Sequence, residues 1–326
     1  MPCSQASGRS SVSYRQAPGP VFIVGAPRSG TTLLQFMLRS HPDLSLPTAE
    51  SHFIIPLWRR RAEFGDLSTR DGVRRVLAEM QRLRPRFLAE DLHGVRFDVE
   101  ALAARFHQEG RDSIPALIDG LFAANAAGEG KSRWGDKTPY YVLHLPLLAE
   151  LFPDARFVHI IRDGRDAALS MRARARDLNV YNLYHAAKIW EQYVEAGQTE
   201  GARLGPQRYF ELRYEDLLSD QEGSVRRICE FLDLPFSSAV IEFRKARAEG
   251  GKTPLLARDI DAGNAEKWRQ RMTPRQLALF EGAAKDTLLR NGYPLATPAR
   301  RPPLPVRAAL RAHNRLLRWI NIRVNG

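Results

Sequence analysis

Three short apolar runs along the chain have the length of buried β-strands. They lie at residues 21–24, 157–161 and 209–212, and polar or glycine-containing segments follow them. Apolar positions with helical spacing come next, for example at residues 33–38 after the first run. Because strands separated by helices generally form a parallel sheet with right-handed crossovers, the pattern predicts an α/β fold with a central, mostly parallel sheet flanked by helices.

The chain between the first two runs predicts several helices and one turn. Residues 57–130 alternate charged and apolar positions with helical spacing. The segment WGDKTP, at residues 134–139, predicts a polar turn because it combines glycine, proline and charged residues. A leucine-rich helix should follow, from about residue 140 to residue 151.

The two ends of the chain differ from its middle. Residues 1–19 are rich in Ser, Gly and Pro and predict a disordered N-terminal arm, which leaves residues 20–296 as the main domain. Residues 297–305 predict a proline-rich linker, and the residues up to 326 predict a basic amphipathic helix. Such a helix either packs on its own domain or contacts an anionic membrane surface or an acidic partner.

Charge is concentrated near the C-terminus. The formal net charge is +12, and residues 287–326 contribute +8 of it, since they contain eight arginines and no acidic residue. The main domain is therefore only mildly basic. It shows no basic stripe interleaved with aromatic residues, so nucleic acid is not expected as a partner.

The cysteines and the hydropathy of the chain indicate in which cellular compartment the protein is expected. The two cysteines, Cys3 and Cys229, are far apart in the sequence and do not suggest a disulfide framework. The first twenty residues contain no apolar run typical of a secretory signal. No stretch of about 18 apolar residues predicts a transmembrane helix. These features favour a cytoplasmic location.

The first predicted strand leads into a glycine loop, GAPRSGTT, at residues 25–32. Its frame is that of the nucleotide P-loop, G-x-x-x-x-G-K-[ST], and it lies between a strand and a helix as that motif does. Loop N–H groups and the positive end of the helix dipole bind oxyanions. We therefore expect an oxyanion-bearing ligand at residues 28–32.

One position departs from the P-loop motif. Thr31 replaces the lysine that reaches the terminal phosphates of a nucleoside triphosphate, while Arg28 supplies a cation from within the loop. The sequence shows no obvious apolar strand ending in an acidic Mg²⁺ ligand. The loop thus favours an oxyanion site without a required metal. A P-loop kinase or NTPase, and a non-catalytic nucleotide-binding protein, remain the alternatives.

A second candidate anion site follows the second predicted strand, in RDGRDAALSM. Arg162 lies at the carboxyl end of that strand, where parallel sheets bind their ligands. Ser170 comes about two helical turns later, and Arg174 one turn beyond it. Together they could hold a second phosphate of the same nucleotide. The alternative is a surface helix with scattered charges.

The motifs together resemble those of the sulfotransferases that use 3′-phosphoadenosine-5′-phosphosulfate (PAPS), especially a bacterial branch similar to tyrosylprotein sulfotransferases. PRSGTTL, HPD, ESH, a lysine turn, RDGRDAALS, RYEDLL and KW occur in the family's order between about residues 21 and 293. The resemblance implies a P-loop-type three-layer fold. It also implies in-line transfer of a sulfuryl group from PAPS to a hydroxyl or amine acceptor, releasing PAP, with no metal required.

The resemblance further implies a donor site. Its glycine loop binds the 5′-phosphosulfate, and the second motif grips the 3′-phosphate. The implied donor residues are Arg28, Ser29, Gly30, Thr31, Thr32, Arg162, Ser170, Arg174, Tyr214 and Arg258.

Catalysis is implied for three residues. Glu50 resembles the family's general base, Lys137 resembles the lysine that stabilises the bridging oxygen as the sulfate leaves, and Arg28 meets the developing charge. Glu50 lies seven residues after the Asp of HPD, where similar enzymes have six. His52 and His159 therefore stay open as alternative bases.

The acceptor is not identified by any motif. A small molecule, a glycan, a lipid or a peptide would all fit, and residues 51–130 are expected to form a helical lid on the acceptor side. A peripheral membrane contact through the C-terminal helix, and a homodimer, are left open as further partners.

Overall fold

The computed structural model describes residues 19–83, 97–243 and 262–325. The predicted N-terminal arm lies almost wholly outside these residues, and so does Arg258. No helix in the described part of the chain is both long and apolar enough to cross a membrane.

A five-stranded sheet forms the centre of the molecule. Its strands are parallel and run in the order β2-β3-β1-β4-β5. The strands are β1 Val21–Gly25, β2 Leu44–Ser45, β3 Arg133–Lys137, β4 Arg156–Ile161 and β5 Tyr209–Arg213. The predicted parallel α/β sheet is confirmed.

Helices connect and cover the strands. In the described residues the α-helices are α1 Thr31–Arg39, α2 Ile54–Arg59, α3 Arg70–Leu83, α4 Val99–Gln108, α5 Ile114–Gly128, α6 Leu145–Leu151, α7 Gly164–Ala173, α8 Ala175–Leu178, α9 Leu183–Leu204, α10 Tyr214–Ser219, α11 Gln221–Phe231, α12 Trp268–Arg271, α13 Pro274–Arg290 and α14 Leu304–Asn325. Four 3₁₀ helices add to them, at Arg61–Phe64, Pro139–His144, Ser238–Val240 and Ala262–Asn264.

The alternation of side chains along β1 shows how the layers form. Phe22 and Val24 pack into one core with α2 to α6, whereas Val21 and Ile23 pack on the opposite face with α1, α10 and α11. Successive residues of a strand point to opposite faces, so a strand that is apolar throughout must be covered on both. A third apolar cluster, from α7, α9, α12 and α13, lies beside the carboxyl ends of β1 and β4.

The predicted polar turn at residues 134–139 is wrong, because Arg133–Lys137 is a buried strand between β2 and β1. Its composition gives no strand signal, since glycine, aspartate and lysine are all rare in strands. The pairing on both edges and specific partners for the polar side chains override that preference. Asp136 accepts hydrogen bonds from two hydroxyls, and Lys137 pairs with Glu50.

A buried ion network fixes the segment that leads to α14. Arg165 is almost fully buried, donates to Asp163 at 2.8 Å and to Glu281 at 2.7 Å, and lies 3.7 Å above the ring of Trp268. Glu281 in turn accepts from the backbone N–H of Thr297 at 2.8 Å. This network joins α7, α12 and α13 behind the carboxyl ends of the strands.

Candidate active site

The carboxyl ends of β1 and β4 border one large cavity. Its volume is about 1140 Å³. One wall contains Arg28, Thr31 and Thr32 from the loop after β1, and Arg162 and Ser170 from the segment after β4. Adjacent parallel strands end at the same edge of the sheet, so their following loops meet there. We call these five residues the anion side of the cavity.

The loop after β1 turns sharply to begin α1 at Thr31. Gly30 has a φ of +97°, and a Cβ at this position would lie 2.3 Å from the ring of Tyr214. Only glycine meets both demands without strain. Gly30 also has no side chain with which to cap α1. The N-terminus of α1, the positive end of its dipole, therefore forms part of the cavity wall.

The predicted anion-binding arginines lie together. Arg162 Nη1 donates to the carbonyl oxygen of Arg28 at 3.4 Å, and Arg28 Nε donates to Ser170 Oγ at 2.9 Å. Burial and the nearby positive charges of Arg174 and Arg162 lower the pKa of Arg28. Cations crowded against each other in a partly desolvated wall favour the binding of an anion between them.

Arg162 is held by several groups yet keeps one donor open. Its guanidinium lies 4.5 Å above the ring of Tyr214, and its Nη2 donates to the carbonyl oxygen of Asn264 at 2.6 Å. Asp166 Oδ2 lies 3.6 Å away. The Nε atom of Arg162 is buried without a hydrogen-bond partner in the described residues. Such a donor costs free energy, and a bound anion would satisfy it.

Two predicted donor residues contribute less directly. The Ser29 side chain is fully buried and is not part of the cavity wall, and its backbone N–H bonds to the carbonyl oxygen of Ala26 at 3.2 Å. Arg174 does line the cavity, but it is exposed and pairs with Asp177 at 2.8 Å. Arg258 lies outside the described residues, so its assignment stays a prediction.

Glu50 and Lys137 form an ion pair at the cavity. Lys137 Nζ donates to Glu50 Oε1 at 2.8 Å, and His52 Nε2 lies 2.8 Å from Glu50 Oε2. Burial would raise the pKa of Glu50, but the hydrogen bond to His52 and the charge of Lys137 outweigh it and lower that pKa to about 2. Glu50 is thus ionised at neutral pH. His52 has a φ of +49°, a strained backbone of the kind found at functional sites.

Hydroxyl groups behind this pair connect the loop that contains Glu50 to the end of β3. Ser51 Oγ donates to Asp136 Oδ2 at 2.6 Å, and the Ser51 N–H donates to Thr138 Oγ1 at 3.0 Å. Glu50 and Lys137 are the immediate neighbours of Ser51 and Asp136 in the sequence. The buried hydrogen bonds therefore fix the backbone positions from which the catalytic candidates extend.

His159 does not belong to the site. It is fully buried in β4, its Nδ1 lies 2.5 Å from Tyr209 Oη, and it packs against Gly197 of α9. Burial lowers its pKa to about 3. His159 is thus a core residue and not an alternative base, whereas His52 remains one.

Another part of the cavity lining is mainly apolar. The ring centroids of His52 and Tyr140 lie 6.2 Å apart. Burial raises the pKa of Tyr193 to about 12, and the charges of Tyr140 and Glu50 add to the effect. Tyr193 and Tyr140 therefore both lie near Glu50. We call the following five cavity residues the apolar side: Tyr140, Leu143, Leu178, Ile189 and Tyr193.

Several lining residues were not identified from the sequence. The apolar side has no motif, since its members come from a 3₁₀ helix and two separate α-helices. Asn264 and Lys267 also line the cavity, and the KW pair contained a signal for Lys267. Within the ranges that the structure describes, no group of three or more His, Cys, Asp or Glu side chains could hold a metal ion.

Comparisons with known proteins agree with this arrangement. The Sulfotransferase family model matches residues 20–238. Protein-tyrosine sulfotransferase A of Caenorhabditis elegans is 26% identical over 264 residues, which are 80% of this chain and 60% of that protein. Human protein-tyrosine sulfotransferase 1 is 25% identical over 269 residues, 78% of this chain and 64% of that protein. The chain thus spans less than two thirds of the length of these relatives.

Two solved structures share the architecture. The sulfotransferase domain of the Synechococcus PCC 7002 olefin synthase has a TM-score of 0.55 and 25% identity, covering 86% of this chain and 98% of that one. The sulfotransferase domain from the curacin biosynthetic pathway has a TM-score of 0.57 and 21% identity, covering 85% and 99%. The second likeness shows the fold alone. Because the family model covers more than half of the chain, the protein belongs to the sulfotransferase family, as the order of its motifs predicts.

Proposed function

We propose that the protein transfers a sulfuryl group from PAPS to a hydroxyl group of an acceptor and releases PAP. One observation carries the proposal: Arg28 and Arg162 line the same cavity as Glu50, and Lys137 contacts Glu50 from behind the cavity wall. The two arginines follow different strands, so they can contact separate phosphate groups of one nucleotide. The ion pair supplies groups suited to proton transfer and to stabilising a leaving oxygen.

The residues present fit an adenosine bisphosphate. The glycine loop and the N-terminus of α1 suit the 5′-phosphosulfate. Arg162, with its unpartnered buried Nε, and Ser170 suit the 3′-phosphate. When bound, PAPS supplies a sulfuryl group attached to a phosphate that leaves. Arg28 would stabilise the negative charge that develops during the transfer.

The ion pair has a second consequence for catalysis. While His52 and Lys137 contact Glu50, the carboxylate is a weak base, because burial is outweighed first by the hydrogen bond to His52 and then by the charge of Lys137, which lower its pKa to about 2. If Lys137 turns toward the leaving oxygen, Glu50 loses its nearest cation and its pKa rises. The same movement would therefore assist the leaving group and strengthen the base that takes the acceptor's proton. His52 orients Glu50, or takes the proton in its place.

The acceptor is proposed to have an apolar portion next to its hydroxyl group. The wall near Glu50 carries Tyr140 and Tyr193, and Leu143 and Ile189 extend it. Apolar contacts of this kind orient a ligand without naming it. Several relatives are named for protein tyrosine, an aromatic hydroxyl, and a peptide acceptor therefore stays among the candidates.

Thermal shift with nucleotides tests the proposed donor. PAP should raise the melting temperature more than ADP or GTP does at equal concentration, with and without Mg²⁺, because only PAP carries both phosphate positions. Transfer of labelled sulfate from PAPS into a cell lysate, followed by mass identification of the product, would then reveal the acceptor. Equal stabilisation by ADP and GTP, or Mg²⁺-dependent ATP turnover, would instead support the P-loop kinase or NTPase.

A further inference from the structure

Helix α14 is attached to the domain in part by asparagines. Asn314 is 4% exposed; its Oδ1 accepts from the backbone N–H of Tyr181 at 2.8 Å, and its amide donates to the carbonyl oxygen of Asn179 at 3.2 Å. Two turns later, Asn321 donates to the carbonyl oxygen of Arg176 at 3.0 Å. One edge of the helix is therefore fixed to the segment between α7 and α9.

The rest of the last turns of α14 presents large apolar side chains to solvent. Leu316 is 57% exposed, Trp319 51% and Val324 73%, and Ile320 and Ile322 are exposed as well. At 3.6 residues per turn, Leu316, Trp319 and Ile320 lie on the side of the helix away from the asparagines, and Ile322 and Val324 flank them. We call these five residues the outer face. Contiguous exposed apolar surface of this kind marks an interaction site.

The charge around the outer face has one sign. Four exposed arginines lie along the helix, and α14 contains no Asp or Glu. They are Arg311, Arg315, Arg318 and Arg323. The guanidinium of Arg323 lies 3.8 Å above the ring of Trp319. Arginines mixed with Trp and Leu are typical of helices that lie in the plane of an anionic membrane surface, where Trp occupies the headgroup region.

Charge also distinguishes between the possible partners of the outer face. Pairing of two copies through α14 would bring like-charged helices together with no acidic residue on either, which is unfavourable. Anionic headgroups neutralise the arginines, acyl chains take up Leu316 and Ile320, and Trp319 lies at the headgroup level. We infer that the outer face of α14 binds an anionic lipid bilayer.

The attachment of α14 connects this surface to the active site. Asn314 and Asn321 hold residues 176–181, and Leu178 and Val180 of the same stretch line the cavity. A helix is only about 10 Å across, so the cavity rim lies close to the proposed bilayer contact. Resting on the proposed function, the inference names the acceptor class: a membrane-borne amphiphile whose apolar part contacts the apolar side.

Vesicle co-sedimentation of the full chain tests the bilayer contact. We expect binding to phosphatidylcholine vesicles containing 30 mol% phosphatidylglycerol to be at least tenfold tighter than to pure phosphatidylcholine vesicles, and to weaken with salt. The double variants Leu316→Gln/Trp319→Gln and Arg315→Gln/Arg318→Gln should each lose about tenfold in binding. The exposed Leu289→Gln and Arg203→Gln on other helices are matched controls and should bind as the unmodified chain does.

Three outcomes would overturn the bilayer contact. One is equal binding to the two vesicle types, and another is unchanged binding of the Leu316→Gln/Trp319→Gln variant. The third is a dimer, seen by light scattering, that this variant dissociates, because a second copy would then cover the face. The PAP-induced thermal shift should be the same in all variants, which shows that they are folded.

A sulfate-transfer assay tests the acceptor class. A total lipid extract of the source cells is presented either in the anionic vesicles or in detergent micelles, with PAPS as donor. The Leu316→Gln/Trp319→Gln variant should lose at least tenfold in transfer to the vesicle-borne extract and keep its transfer to the micellar extract. Equal loss or equal retention in both forms would overturn the acceptor class. Absence of transfer by the unmodified chain in both forms, with transfer into a whole-cell lysate, would likewise overturn the acceptor class. Absence of transfer into the lysate as well, despite PAP binding, would count against the proposed function itself.

Discussion

The two walls of the cavity are built in different ways. The anion side comes from two short segments that directly follow adjacent parallel strands. The apolar side combines single side chains from a 3₁₀ helix, α8 and α9. The first wall is fixed by the sheet edge, and its arginines suit a ligand that carries anionic groups at two points. The second is fixed only by helix packing, so its shape can change without disturbing the first.

Glu50 lines the cavity without belonging to either side, and its contribution can be separated from both. Glu50→Gln should reduce the turnover number by roughly 10²–10³, as loss of a positioned catalytic group typically does, and leave the dissociation constant for PAP within about twofold. His52→Gln should cost only about tenfold if His52 orients Glu50. Steady-state kinetics and calorimetric titration with PAP measure the two effects.

The opposite ranking has a clear meaning. A larger loss in His52→Gln than in Glu50→Gln would assign the base to His52. Full activity of Glu50→Gln would remove the ion pair from the chemistry. Loss of PAP binding in Glu50→Gln would contradict the division between the two walls.

The buried support of the pair makes stability depend on pH. Burial raises the pKa of Asp136 from 3.8 to about 6, despite hydrogen bonds from Ser51 and Thr138. Below about pH 4 Asp136 is protonated in both the folded and the unfolded state, and its full contribution to the free energy of unfolding is present. Between about pH 4 and 6 the unfolded chain releases it first, so stability falls as pH rises, by about 3 kcal/mol in total.

Asp136→Asn removes this titration. Relative to the variant, the unmodified protein should lose about 3 kcal/mol in free energy of unfolding between pH 4 and pH 7, as measured by urea denaturation. The difference between the two proteins is needed, because burial of His159 lowers its pKa to about 3 and gives a pH dependence of opposite sign in both. The exposed Asp286→Asn is the control. A difference that does not change with pH would show that Asp136 is ionised in the folded state.

The anion side can be tested with two ligands that differ by one phosphate. Arg162→Ala should weaken PAP binding by about 2 kcal/mol, or roughly 30-fold, since hydrogen bonds to charged groups contribute about 1.5–3 kcal/mol. Binding of adenosine 5′-phosphate, which lacks the 3′-phosphate, should change little. Calorimetric titration of both ligands, with Arg203→Ala as a surface control, measures this. Equal losses for the two ligands would place Arg162 at the 5′ end.

The contrast between the anion side and the apolar side also explains which site residues could be predicted from the sequence. Arg28 and Arg162 were identified because each follows an apolar strand within a few residues, and the edge of a parallel sheet must bring such loops together. Arg165, in the same RDGRD motif, has an equally polar local context but is buried against Glu281, 116 residues later in the chain. Apart from the position of Arg162 at the end of β4, nothing in the local sequence distinguishes this cavity-lining arginine from the buried Arg165.

The remaining misses share one physical cause. The strand Arg133–Lys137 was predicted as a turn because its stability comes from neighbours on both edges, which its own composition does not reveal. Ile189 and Tyr193 have the spacing of an ordinary buried helix face. That they line a cavity depends on the position of the segments before α9. Long-range packing, and not local preference, decides both cases.

The smallest expected effect concerns this apolar side. Ile189→Ala should raise the KM for an alkylated phenol used as a surrogate acceptor by roughly fivefold, because each buried CH₂ contributes about 0.8 kcal/mol and the smaller side chain keeps only part of the contact. PAP binding should be unchanged, since Ile189 is an apolar lining residue that does not belong to the anion side. A series of phenols with increasing alkyl chain length sharpens the test: kcat/KM should rise with length in the unmodified protein and rise less steeply in the variant. If alkyl chain length had no effect on kcat/KM while PAP bound normally, the apolar side would stabilise the packing of the protein and would not contact the acceptor. Its shape could then not change without affecting the rest of the cavity.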